Sequence, residues 1–330
     1  MKIAIVGVTG LVGRVMLKVL EESKLLHGVE LIPVASARSK GKLIPFMGEE
    51  IPVLEMADAL KANPNIAIFS AGAETSRNWA QKFSANNVFV IDNSSAWRME
   101  DHVPLVVPEI NADSITKTTH LIANPNCSTI QLALSLHPLH RQYRIRRVVV
   151  STYQSVTGSG AFAVRQLENE RNGIKGDRFY PHPIDLNLIP HGGYFLENGY
   201  TSEEQKLVDE SRKILSDPDL QITATVVRVP VYGGHSEAVN VEFEKPFDLE
   251  EVKSILATAP GIELLDDPLA NLYPMPILAE GRNEVFVGRL RRDLSRDNAL
   301  NMWIVSDNLR KGAATNAMQI AEYLITKKLI

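Results

Sequence analysis

Lys2-Ile3-Ala4-Ile5-Val6-Gly7-Val8-Thr9-Gly10-Leu11-Val12-Gly13 is the stretch on which the fold turns. Lys2–Gly7 is a short apolar run stopped by glycine, as a buried parallel strand requires. Leu11–Leu20 then places apolar residues at helical spacing. Gly7, Gly10 and Gly13 form a G-x-x-G-x-x-G variant of the dinucleotide fingerprint, in the strand-to-helix context that gives the motif meaning. The early glycines allow a tight turn and close approach of backbone to a pyrophosphate, and the last allows close helix–sheet packing. The helix N-terminus adds free N–H groups and a partial positive charge. Gly7, Thr9, Gly10, Leu11, Val12 and Gly13 are therefore candidate cofactor contacts.

Outward from this start the pattern repeats. Val29–Ala35, Ile66–Phe69 and Val88–Ile91 read as further strands, with a helical segment around Glu74–Ala85. Strands alternating with helices predict an α/β fold with a Rossmann-like, doubly wound parallel sheet. An NAD-selective site of this kind places an acid about 20 residues on, at the end of the second strand, for the ribose hydroxyls. Here the strand end reads Val34-Ala35-Ser36-Ala37-Arg38-Ser39-Lys40, with hydroxyls and two cations and no acid. Those groups suit the extra phosphate of NADP, and Ser36, Ala37 and Arg38 join the candidate cofactor contacts.

The second half has a different texture. Arg147–Tyr153, Ile222–Val229, Glu237–Phe243, Glu284–Leu290 and Ala299–Val305 read as strands, several alternating apolar and polar residues as a half-exposed sheet does. Helices are expected at Thr129–Leu139, Ala161–Glu170, Ser202–Leu215 and Leu249–Thr258, and a long amphipathic one at Arg310–Leu329. Asn172–Asn198, rich in Gly, Pro and His, reads as a long loop, and loops of that length usually serve function or cover an interface. At 330 residues the chain predicts about two domains.

Composition narrows the function classes. Lys and Arg number 35 against 39 Asp and Glu, a net charge of −4 that points to no nucleic-acid or membrane partner. No stretch approaches the ~18 apolar residues of a membrane span. The start reads as a strand rather than a signal peptide. No metal site is expected. A single cysteine cannot make an intrachain disulfide, which suits a reducing cytoplasm.

That cysteine lies in Asn124-Pro125-Asn126-Cys127-Ser128-Thr129. A lone cysteine is most often a small core hydrophobe. These polar, turn-forming neighbours are not a core pattern, and a thiol at a helix N-terminus ionises more readily. A thiolate needs a proton-transfer partner, and eight histidines are present. His235 sits on the glycine-rich turn Tyr232-Gly233-Gly234-His235-Ser236-Glu237, where the glycines permit close approach of a substrate. His182 and His191, in the irregular segment, compete with it on sequence grounds.

Taken in order, these pieces resemble the aspartate-semialdehyde dehydrogenase family over nearly the whole length. The matching stretches are Gly7–Gly13, Ser94-Ser95-Ala96-Trp97-Arg98-Met99, Val107-Pro108-Glu109-Ile110-Asn111 and Asn124–Thr129. Further ones are Tyr153–Gly160, Arg228-Val229-Pro230-Val231 before Gly234–Glu237, and Asp307-Asn308-Leu309-Arg310-Lys311-Gly312-Ala313. The resemblance implies Cys127 as nucleophile, His235 as general acid/base and Gln154 orienting the acyl group. It implies Arg228 on the substrate carboxylate, Glu203 on its ammonium, and Arg98 and Lys206 on the departing phosphate. Thr157, Gly158 and Asn308 would touch the cofactor. An exposed ion pair is the plainer reading of Glu203 and Lys206, three apart on a helix.

The implied activity is NADPH-dependent reductive dephosphorylation of L-aspartyl-4-phosphate to L-aspartate 4-semialdehyde through a cysteine thioester. Its place is the biosynthesis of lysine, threonine, methionine and diaminopimelate. The implied architecture joins residues 1–127 and 308–330 in an NADP-binding domain. Residues 128–307 form a catalytic α+β domain whose mixed sheet makes a homodimer interface, with a tetramer left open. N-acetyl-glutamyl-phosphate reductase is the nearest alternative, but its nucleophile motif resembles Asn-Pro-Gly-Cys-Tyr, not the Asn126-Cys127-Ser128 found here. The Ser-Cys-Thr-Thr motif of glyceraldehyde-3-phosphate dehydrogenases is absent. A non-catalytic NADP-binding paralogue would be expected to lack Cys127, Arg228 or His235, and all three are present.

Overall fold

The computed structural model describes residues 1–330, which form two compact units. The first comprises Met1–Asn126 and Ala313–Ile330, the second Cys127–Gly312.

In the first unit, β1 (Lys2–Val6) runs into α1 (Leu11–Glu22) and β2 (Glu30–Val34). A hairpin of β3 (Leu43–Phe46) and β4 (Glu49–Pro52) follows, then α2 (Met56–Lys61), β5 (Ile66–Phe69), α3 (Ala73–Ser84), β6 (Phe89–Asp92), α4 (Pro108–Asn111) and β7 (Leu121–Ala123). Strands β2-β1-β5-β6-β7 form one sheet, in that order and all parallel. This is the doubly wound sheet that the alternation of strands and helices predicted. The order changes direction between β1 and β5, and in open α/β sheets a ligand crevice opens at the carboxyl ends of the strands at that point. Gly7 stands there, at the end of β1.

The hairpin strands were not legible. Glu49-Glu50-Ile51-Pro52 carries two acids and a proline, tolerable only in an edge strand. The C-terminal segment also departs from the reading. It is a π-type turn at Arg310–Ala314 followed by a helix at Thr315–Thr326, not one amphipathic helix. Arg310 through Met318 are buried on every face. Ala314, Ala317, Met318, Ile320, Ala321 and Leu324 enter the same core as Ile3, Ile5, Met16, Leu20 and Ile68. Residues 308–312, expected with the first unit, lie in the second.

The second unit opens with α5 (Cys127–Tyr143) and β8 (Ile145–Gln154), then α6 (Ala161–Arg171), α7 (Ser202–Leu215), β9 (Gln221–Arg228) and β10 (His235–Phe243). It continues with α8 (Leu249–Thr258), β11 (Ile262–Leu264), α9 (Pro276–Ala279), β12 (Val285–Arg292) and β13 (Ala299–Ser306). The sheet order is β11-β12-β13-β10-β8-β9, with parallel pairs at both ends and antiparallel pairs between. The expected mixed sheet is thus present. On β8, Val148, Val150, Thr152 and Gln154 are buried, while Val149, Ser151 and Tyr153 on the opposite face are half-buried. Helix α5 packs on the buried face, flanked by α7 and α8.

Candidate active site

The cradle at the end of β1 is shaped by backbone. Gly7 has φ +89°, and a Cβ there would stand 2.3 Å from the Ser70 carbonyl oxygen. A Cβ on Gly13 would stand 2.3 Å from the Gly7 oxygen. No side chain fits at either place, so the turn stays bare where it meets the N-terminus of α1, a place that favours a phosphate. Thr9, Leu11 and Val12 are half-buried around the turn, with Gly10 exposed. At the end of β2, Ser36, Ala37 and Arg38 are exposed. Lys40 differs, since it pairs with Glu55 and Asp58, each at 3.2 Å. Arg38, the other cation of Ser36–Lys40, is exposed.

Arg98, also in the first unit, is buried. Its Nε donates to the Asn124 carbonyl (2.9 Å) and its Nη2 to the Asn93 carbonyl (3.0 Å). Asn124 is held in turn: its amide donates to Asn93 Oδ1 (2.6 Å) and accepts from Asn316 Nδ2 (2.7 Å). These bonds fix the chain ends after β6 and β7, three residues ahead of Cys127.

In the second unit, Cys127 is the first residue of α5 and is half-buried. The fully buried amide of Gln154 donates to Ser128 Oγ at 2.9 Å, which brings the end of β8 to the start of α5. Strand register supplies the rest. Gln154 pairs with Arg228 on β9. On the other side Tyr153 pairs with Ser236, so the next rung sets His235 beside Gln154. His235 in turn pairs with Ser306 on β13. Arg228, Gln154, His235 and Ser306 therefore form one row across four strands, on the face that carries α5.

Within this row the groups are closely packed. A Cβ at Gly158 would lie 2.9 Å from Arg228 Nη1, from His235 Cε1 and from His235 Nε2. Gly158 is thus the wall against which guanidinium and imidazole meet. His235 is fully buried, and burial together with the nearby Arg228 charge holds its pKa well below 6.5. Its Nδ1 accepts from the Ser155 backbone N–H at 3.1 Å, and its Nε2 has no partner within the chain. Ser155 Oγ donates to Asn308 Oδ1 (3.0 Å), and Asn308 Nδ2 donates to Thr157 Oγ1 (3.1 Å). These bonds are why residue 308 belongs to this unit. Gly312 packs on Cys127, where a Cβ would come within 2.8 Å of the Cys127 Cβ.

The glycines before His235 serve the chain rather than a ligand. Gly234 has φ +70°, and Gly233 abuts the Glu280 side chain. Of the competing histidines, His182 is exposed and His191 stacks on Phe195 at 4.4 Å. Neither stands in the row.

Glu203 and Lys206 lie in the first turns of α7 and form an ion pair with each other. Thr201 and Glu204 cap the helix reciprocally, and Glu204 Oε1 also accepts from Val226 N–H (2.9 Å), tying α7 to β9. The long loop is clamped by α6. Gln166 Oε1 takes the N–H groups of Phe179 and Tyr180, and Glu170 Oε2 those of Ile184 and Asp185. Tyr180, Ile184 and Ile189 pack with Val156, Ala163 and Leu167, and Ile189 pairs with Arg228. The loop thus backs the row on the Arg228 side.

Sequence reading missed Ser155 and Glu237. Glu237 is fully buried two residues on from His235 along β10, and neither of its oxygens has a hydrogen-bond partner in the chain. Burial pushes its pKa well above 4.5, with the Gln131 amide beside it pulling the other way. The signal was present, since Glu237 breaks the apolar alternation of Val239, Val241 and Phe243.

Residues 2–118 match the family model described as semialdehyde dehydrogenase, NAD binding domain. Residues 136–311 match semialdehyde dehydrogenase, dimerisation domain. The chain is 50% identical to the aspartate-semialdehyde dehydrogenase of Aquifex aeolicus, covering 100% of this chain and 99% of that one. It is 45% identical to that of Bacillus subtilis, over 99% and 97%. Among solved structures, aspartate semialdehyde dehydrogenase II from Vibrio cholerae, complexed with ASA, is 42% identical. It covers 98% of each chain with a TM-score of 0.93.

Proposed function

The chain belongs to the aspartate-semialdehyde dehydrogenase family, and from that premise we propose that it is an NADP-dependent enzyme that reduces L-aspartyl-4-phosphate to L-aspartate 4-semialdehyde. The observation that carries this reading is the row of Arg228, Gln154 and His235, with Gln154 bonded to the residue beside Cys127.

Each residue then has a task. The Cys127 thiolate, favoured at the α5 N-terminus, attacks the acyl carbon and phosphate departs, leaving a thioester. Arg228 pairs its planar guanidinium with the substrate carboxylate. Glu203 takes the substrate ammonium, and Lys206 and Arg98 balance charge on the phosphate. Gln154 orients the acyl group, and His235 faces it at the position of the family's acid/base.

The bare turn of Gly7, Thr9, Gly10, Leu11, Val12 and Gly13 fits a dinucleotide pyrophosphate. Thr157, Gly158 and Asn308 are the contacts for the nicotinamide end. When bound, the dinucleotide supplies the hydride that reduces the thioester carbon. Arg38 and Ser36, with no acid beside them, favour NADP over NAD. The half-buried face of the mixed sheet, with Ser151, Tyr153, Ala238 and Trp303, is the surface for a homodimer. A lone catalytic thiol suits the reducing cytoplasm.

The test is phosphate-dependent oxidation of L-aspartate 4-semialdehyde with NADP and with NAD. Turnover with NADP should fall by about three orders of magnitude or more in Cys127→Ala. Normal turnover in that variant sinks the proposal.

A further inference from the structure

We propose that Gly192 is a specificity-determining residue. Residues 189–194 tie Arg228, for the substrate carboxylate, to Glu203, for its ammonium, and the bare α-carbon of Gly192 lets Glu203 stand where the amino group of an α-amino acid falls. This deepens the function proposed above and rests on it.

The segment is bonded to the main chain at both ends. Arg228 closes β9, an edge strand of the mixed sheet. The Ile189 N–H donates to the Arg228 carbonyl (3.1 Å) and the Arg228 N–H to the Ile189 carbonyl (2.8 Å). At the other end, the Tyr194 carbonyl accepts from the Ser202 N–H (2.8 Å), and the Tyr194 N–H donates to Ser202 Oγ (3.1 Å). Ser202 opens α7, directly before Glu203. Between the ends, the Gly192 carbonyl accepts from the N–H of Glu203 itself at 3.4 Å.

Gly192 is buried between two side chains. A Cβ there would lie 2.7 Å from Val226 Cγ1, 3.0 Å from Glu203 Cγ and 3.1 Å from Glu203 Cβ. Val226 is fully buried on β9 and has no room to retreat, so the Glu203 stem is what gives way. Gly192 does not have a positive φ, so alanine suits its backbone and the contact alone decides. Gly193 differs, with φ +76° and a Cβ position 2.0 Å from Ser202 Oγ, and it serves the turn.

An α-amino acid carries carboxylate and ammonium on one carbon. The guanidinium and carboxylate that receive them must therefore keep a fixed separation, to within about 0.5 Å. Two side chains on separate elements do not guarantee that, whereas a peptide segment bonded to the main chain of both does. Arg228 alone would take any semialdehyde that carries a carboxylate. Glu203, set in place by Gly192, adds the demand for an ammonium. Glu203 also pairs with Lys206 along α7, so a small displacement leaves it with that partner and withdraws it from the substrate.

The test is competition kinetics on the full-length chain. L-aspartate 4-semialdehyde is the substrate, and succinate semialdehyde, the same molecule without its amino group, competes against it, so that its Ki is read whether or not it turns over. Gly192→Ala should raise KM for L-aspartate 4-semialdehyde by about tenfold, the scale of one hydrogen bond to a charged group. The Ki of succinate semialdehyde should stay within about twofold of wild type, and kcat within about threefold. In a Glu203→Ala background the same substitution should leave KM within about twofold, because its target is gone. If the single variant does not fold, Gly192→Ala with Val226→Ala removes the tighter contact, keeps the one with Glu203, and must show the same divergence between the two ligands. Equal weakening of both ligands, an unmoved KM, or the same rise in KM with and without Glu203 overturns the inference. Absence of L-aspartate 4-semialdehyde oxidation by the wild-type chain would instead overturn the proposed function.

Discussion

A single added methyl group at Gly158 would meet Arg228 Nη1 and the His235 ring at 2.9 Å. Ordinary carbon–nitrogen contact needs several tenths of an ångström more, so guanidinium or imidazole must move. Gly158→Ala should thus lower kcat/KM by about a hundredfold, the scale set by misplacing a reacting group by an ångström. Its melting temperature should stay close to wild type, because Gly158 is exposed and not at positive φ. Steady-state kinetics beside a thermal melt checks this, and unchanged kinetics would refute the packing argument. At this scale the sequence was legible where identity is the function: the thiol of Cys127, the guanidinium of Arg228, the absent side chains of Gly7 and Gly13. It was silent at Ser155, which meets His235 through a backbone N–H that every residue but proline carries. It misled at Lys40, a cation by name that two carboxylates occupy.

Helix α7 shows how an element carries a site. Thr201 is fully buried and caps the helix while Glu204 returns the bond from its side chain to the Thr201 N–H. The cap fixes where the first turns lie, and with them Glu203 and Lys206. Thr201→Ala should cost about 1 kcal/mol of stability. It should also raise KM for the semialdehyde more than it lowers kcat. Urea unfolding and initial rates measure the two, and a stability loss with KM unmoved would detach Glu203 from the substrate. The spacing Thr201-Ser202-Glu203-Glu204 is a legible capping signature. Strand existence was legible on β8, β10 and β13, each eight residues or longer. It failed for β7 and β11, three residues each, too short to show a period.

At the scale of the whole molecule, two buried groups on β10 set opposite limits in pH. His235 is neutral in the folded chain, its pKa held well below 6.5 by burial and Arg228. The unfolded chain takes up a proton as pH falls below about 6.5, so acid favours unfolding. Glu237 is the reverse case. Burial lifts its pKa well above 4.5, so the folded chain keeps a proton that the unfolded chain releases. Its contribution is fully present below about pH 4.5 and is lost as pH rises toward the folded pKa, by up to about 1.4 kcal/mol per pH unit. Glu237→Gln should therefore gain on the wild type in unfolding free energy as pH rises from 5 to 8. Parallel stability curves would show that Glu237 is ionised in the fold. The parallel sheet and the mixed sheet were both readable from the periodicity of the chain. The pairing that sets His235 beside Gln154 and Gln154 beside Arg228 was not, because register is a property of two strands at once.

The discontinuous make-up of the first unit has a consequence for synthesis. Its sheet is complete once Ala123 has been added, yet six residues of its core, from Ala314 to Leu324, emerge only after the whole second unit. The second unit, an unbroken run from Cys127 to Gly312, has all its residues before then. The half of the chain that leaves the ribosome first is the half whose core closes last. Until it closes, the apolar faces of Ile3, Ile5, Met16 and Leu20 await the cover that Ala314 to Leu324 supply.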